Sequence, residues 1–131
     1  MGIREFISKA SKEPLPWWKL NDVESGENGF RITSVKIKDS PTPTVLWDEI
    51  QKITTYKRGL LTTDLICLSI ETNMETYEVN EEMDGWDSFV SNCELKLKGI
   101  TTSKEWWGRV MQPAFATNQE TIYEKSSNKS L

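Results

Sequence analysis

Apolar positions along the chain change their period several times, and each change marks an element. Ile3, Phe6, Ile7 and Ala10 recur at helical spacing and predict a short helix ending before Pro14. Pro14-Leu15-Pro16 is a rigid extended connector, and Trp17-Trp18-Lys19-Leu20 after it reads as a strand or an anchor. Glu24 to Gly29 is polar and glycine-rich, which predicts a loop. Phe30 and Ile32 share one strand parity and Val35 and Ile37 the other, so a bulge near Thr33-Ser34 or two short strands are expected there. Asp39-Ser40-Pro41-Thr42-Pro43 has turn composition.

Trp47, Ile50 and Ile53 are three apart, which predicts one helical turn and then a strand through Tyr56. A turn is expected at Arg58-Gly59. Leu65 to Ile70 is apolar on nearly both faces, the pattern of a central strand. Thr72 to Glu75 turns the chain, and Thr76 to Asn80 returns with Tyr77 and Val79 inward and Glu78 outward. Asp84 is placed to cap a helix in which Trp86, Phe89, Val90, Cys93 and Leu97 mark one face, with Gly99 as its stop. Thr102-Ser103-Lys104-Glu105 is a capping box for a short helix carrying Trp106, Trp107 and Val110, which Pro113 ends. Thr121 to Glu124 reads as a last strand. The fold class is therefore α+β: a bent antiparallel sheet or partly open barrel covered by the amphipathic helix from Trp86. Residues 1–124 form one domain, with 1–29 as helix and connector and 30–124 as core, and 125–131 as a flexible tail.

Composition narrows the chemistry. The 131 residues include six Trp and no His. Without His, the commonest metal ligand and the usual general base are both missing. Cys67 and Cys93 cannot complete a zinc site alone, and their apolar neighbours make them buried small hydrophobes. No phosphate-cradling glycine loop and no nucleophile elbow is present. Asn80-x-Glu82-x-Asp84-Gly85 imitates the first half of a calcium loop, but Ser91 stands where a bidentate Glu is needed. Metal, cofactor and catalytic residues are accordingly expected to be absent. No stretch reaches the roughly 20 apolar residues of a membrane span, the first fifteen residues are amphipathic rather than a signal peptide, and a cytoplasmic location is expected.

Charge changes the picture most. Nine acidic residues and no Lys or Arg lie between Gly59 and Leu95, while the rest of the chain carries 16 basic and 11 acidic residues. Such a one-sign window steers a cationic partner and repels nucleic acid. Glu78, Glu81, Glu82 and Asp84 are the candidates for steering a basic protein partner, with Trp18 or Trp107 as the anchor. Lys52, Lys57 and Arg58 form an alternative anion-binding knot.

Leu46-Trp47-Asp48-Glu49-Ile50, the hairpin from Leu65 to Asn80 and the helix from Trp86 follow in an order that resembles the second half of a pleckstrin-homology-like barrel. That resemblance implies a small-ligand or phospholipid module, whose basic residues would map to Arg31, Lys36 and Lys38. Tyr56-Lys57, Thr62 to Leu68, Glu82 to Trp86 and Pro113 to Asn118 resemble a group of short uncharacterised bacterial proteins, which implies a bacterial, cytosolic, non-enzymatic protein. Together these readings lead to non-catalytic protein binding through an acidic, aromatic-edged face, for example an immunity-type protein that neutralises a basic toxin.

Overall fold

The computed structural model describes residues 21–34, 43–59, 64–111 and 118–125. The expected N-terminal helix, Trp17, Trp18, Val35, Ile37, Lys36, Lys38 and Pro113 fall outside them, as does the tail from 126. The fold is mixed α+β, and the described residues form seven strands in two antiparallel sheets. One sheet has the order β1 (Asn21–Ser25), β2 (Gly29–Ser34), β3 (Val45–Leu46). The other has the order β6 (Thr76–Asn80), β5 (Asp64–Thr72), β4 (Ile50–Gly59), β7 (Gln119–Glu124). Two helices, α1 (Trp86–Lys96) and α2 (Ser103–Met111), lie between β6 and β7 in sequence. No barrel closes among the described residues.

Each element follows from local chemistry. β5 is central because it is apolar on both faces: Ile66, Leu68 and Ile70 enter the main core, and Leu65 and Cys67 are buried on the opposite face. β4 alternates, with Ile53, Thr55 and Lys57 buried and the residues between them half-buried. The β5–β6 turn is closed by Thr72, whose Oγ1 accepts the N–H groups of Met74 and Glu75 at 3.2 and 3.0 Å. A single 3-10 turn, Trp47–Glu49, leads into β4 as the spacing of Trp47, Ile50 and Ile53 predicts.

Two expectations are corrected. The loop begins only after Ser25, because β1 pairs with β2 from Asn21↔Ser34 to Ser25↔Phe30 and buries Val23. β2 keeps a continuous register against β1 through Ser34, and the positions beyond it that the expected bulge or second strand involves lie outside the described residues. Arg58 and Gly59 lie within β4, paired with Leu65 and Asp64, and do not make a turn.

One core joins both sheets and both helices. Phe30 from the small sheet meets Phe89 of α1 edge-on at 5.0 Å, and Trp47 stacks on the same Phe89 at 6.2 Å. Trp86, Phe89, Cys93 and Leu97 are buried, the face that their 3.6-residue spacing predicts. Both cysteines are free thiols. No helix of the described residues is long and apolar enough to cross a membrane.

Candidate partner-binding cleft

The connection from β6 to α1 decides where the acidic residues end up. Glu81 extends the β5–β6 pairing: its N–H donates to the Ile66 carbonyl at 3.1 Å, and its Oε2 accepts the Ile66 N–H at 2.9 Å. Asn80, fully buried, accepts the Glu82 N–H at 3.0 Å through Oδ1 and the Met83 N–H through its carbonyl. The chain then reaches Gly85 in the left-handed region (φ 93°), and α1 starts at Trp86. Gly85 is fixed twice over. Its φ disfavours any Cβ, and a Cβ there would sit 1.9 Å from the Val23 carbonyl oxygen. The close approach brings β1 alongside, where the Val23 N–H donates to the Asp84 carbonyl at 3.0 Å. Asp84 is therefore not the helix cap expected from sequence; Gly85 is the cap residue, and no side chain bonds the first turn.

This turn and the start of α1 form one wall of a cleft of about 540 Å³, and Trp107 of α2 supplies the other. Glu81, Met83, Asp84, Trp86, Asp87 and Ser88 line the first wall. A second lobe of about 370 Å³ shares Trp86, Asp87 and Trp107 and continues between the helices over Val90 and Trp106. Trp107 is held by packing on the buried Trp106, ring centroids 5.7 Å apart. The amphipathic spacing of α2 sets this: Trp106 and Val110 go into the core, and Trp107, one residue round the helix, stays half-buried at the rim. The N-terminus of α2 is tied to α1, since the Ser103 N–H donates to Glu94 Oε2 at 2.7 Å.

Burial pushes the Glu81 carboxyl above the usual carboxylate range, against the Ile66 N–H that holds it down, with Glu82 adding to the rise. Three carboxylates thus face one cleft beside the positive end of α1, whose macrodipole amounts to only about half a charge. The cleft remains net negative when they are ionised.

Of the residues expected to steer a partner, Glu81 and Asp84 line the cleft with Trp107, and Glu82 is exposed in the same turn. Trp18 lies outside the described residues. Glu78 lies apart from these residues. Strand alternation puts it on the outer face of the larger sheet, where Tyr56 Oη and the Arg58 guanidinium both donate to its Oε1. Burial and the bond to Glu78 raise the Tyr56 phenol, and burial followed by Glu78 pushes the Cys67 thiol up to about 12. This cluster consumes its own charges.

In the expected knot of Lys52, Lys57 and Arg58, the two-residue strand period sets Lys57 and Arg58 on opposite faces of β4. Lys57 points inward and is fully buried; its Nζ donates to the Met111 carbonyl at 2.8 Å and lies 3.6 Å from Asp64 Oδ2. It caps the C-terminal end of α2, a job shared with Asn118, whose Nδ2 donates to the Val110 carbonyl at 3.2 Å. Arg58 is turned to the opposite face, toward Glu78.

No family model, no curated protein and no solved structure matches the chain. The cleft must be read from its own chemistry. Among the described residues, no three His, Cys, Asp or Glu side chains are grouped to hold a metal ion. Sequence reading missed Asp87, Trp86 and Ser88 as cleft residues. The available signal was their position on the first turn of α1, immediately after the acidic run.

Proposed function

We propose that the chain is a non-catalytic binding domain that receives a basic protein partner in the cleft between α1 and α2. The observation that carries this reading is that Glu81, Asp84 and Asp87 share one cleft with the half-buried Trp107. Carboxylates speed a cationic partner's approach, and an aromatic wall in a partly desolvated cleft slows its departure. A concrete form is a cytoplasmic immunity-type protein that neutralises a basic toxin, such as a nuclease. We also propose that the two sheets and α1 make a partly open, pleckstrin-homology-like shell. The single core shared by both sheets supports that architecture. The phospholipid-binding function attached to it gains nothing from Lys57, which is interior.

The test is a pull-down from native lysate at low salt with the wild-type chain and the Asp84→Asn/Asp87→Asn variant. A basic protein held by the wild type and released by the variant is the expected result. Equal retention by both chains removes the reading.

A further inference from the structure

The cleft has more shape than a charged patch, and its two lobes differ in chemistry. The first lobe carries Glu81, Asp84 and Asp87 against the indole of Trp107. The second is lined by Val90, Ser91, Ser103 and the buried Trp106, and its lining is about equally polar and apolar where that of the first is mostly polar. Trp86, Asp87 and Trp107 belong to both, so the lobes adjoin. Resting on the basic-partner reading, we infer that the cleft recognises an arginine side chain together with an apolar side chain no more than two residues away.

Arginine fits the first lobe better than lysine for three reasons. A planar guanidinium stacks on an indole, and Trp107, packed against Trp106, lines this lobe. Its forked donors satisfy carboxylates two at a time, whereas an ammonium acts as a point charge. Glu81 already accepts the Ile66 N–H through Oε2, so its carboxylate is oriented before any ligand arrives and loses little freedom on binding. The weaker hydration of the guanidinium also lowers the cost of entering a site where burial disfavours charge.

The second lobe discriminates by what it lacks. A polar side chain placed beside Val90 and Trp106 finds fewer partners than it would in the first lobe, while a Leu or Phe side chain covers the apolar half of the lining. A chain advances about 3.3–3.6 Å per residue when extended. Two adjoining lobes therefore call for neighbouring residues of one segment rather than distant parts of a surface.

The probe is a short capped peptide containing Arg-Ala-Leu, titrated into the full chain with the indole N–H signals of Trp86 and Trp107 followed by NMR. Three companion peptides replace Arg by Lys, Arg by Gln, or Leu by Ser. The expected result is saturable shifts at both indoles with a dissociation constant on the order of 1 mM, a ~3- to 10-fold loss for the Lys and Ser peptides, and no saturation for the Gln peptide. Trp107→Ala removes binding of the parent peptide, and Trp107→Phe retains part of it. Equal affinity of the Arg and Lys peptides, or of the Leu and Ser peptides, overturns this inference while leaving the basic-partner reading intact. Absence of binding by any peptide at about 10 mM also overturns it. The partner reading falls only if lysate capture ignores the cleft substitutions.

Discussion

Two regions of the same acidic window behave in opposite ways. Along the β4–β5 pair and the outer face of β6, carboxylates are absorbed by the fold: Asp64 faces the buried Lys57, and Glu78 is held by Arg58 and Tyr56. At the β6–α1 connection, only Glu81 among the cleft carboxylates is tied down, and Asp84 and Asp87 are exposed beside Trp107. A run of like charge in sequence is therefore not one surface. Strand alternation folds Asp64 and Glu78 against cations from β4, and the turn at Gly85 leaves Glu81, Asp84 and Asp87 lining a cleft. The first group should govern stability and the second should govern association.

The largest expected effect belongs to the first region. Lys57→Ala removes the buried group that bonds the Met111 carbonyl and the cation 3.6 Å from Asp64 Oδ2, and it should cost about 3–5 kcal/mol of unfolding free energy in denaturant titration. Lys57→Met keeps the stem and should recover part of that loss. Gly85→Ala comes next, at about 2–4 kcal/mol, from a left-handed φ combined with collision against Val23. If Gly85→Ala unfolds with wild-type stability, the cleft turn is not built as described. Arg58→Ala should cost only about 1 kcal/mol, because its pair with Glu78 is part-exposed.

In the second region, Asp84→Asn/Asp87→Asn should change stability by less than about 0.5 kcal/mol, since both side chains are exposed. Glu81 gives the smallest and most diagnostic effect. Its carboxyl is raised in the folded chain, so the native state binds protons more readily than the unfolded one. Its ionisation therefore weakens folding as pH rises through and above the unfolded carboxylate range. Glu81→Gln should gain on the wild type between pH ~4 and ~7 in paired denaturation curves. A gain that runs the other way contradicts the burial of this carboxyl.

The thiols sharpen the same contrast. Burial raises both Cys67 and Cys93, Cys67 to about 12, so neither should react with iodoacetamide at neutral pH until the chain unfolds. Labelling of native Cys67 would mean that the Tyr56–Arg58–Glu78 cluster opens readily.

Sequence made the local elements legible where side-chain period decides them. The apolar run Leu65 to Ile70 and the stripe Trp86, Phe89, Cys93 and Leu97 are β5 and α1 as they stand. Glu24-Ser25 was not legible as strand, because β1 is short and polar and owes its place to pairing with β2 and to the Asp84 carbonyl. Lys57 was not legible as a core residue, because its burial depends on the C-terminus of a helix 54 residues away. For the cleft, Glu81, Asp84 and Trp107 could be named separately. Their meeting depends on how α2 packs against α1, which no local pattern encodes.

The most direct measurement is the association rate of the captured partner, followed from about 0.01 M to about 0.15 M salt, where the Debye length falls from about 30 Å to about 8 Å. Wild type and Glu78→Gln should show the same steep decline, because Glu78 is occupied by Arg58 and Tyr56. Asp84→Asn/Asp87→Asn should start about tenfold slower and depend far less on salt. Equal rates for the cleft variant and the wild type, or a loss confined to Glu78→Gln, would contradict the division of the acidic window proposed here.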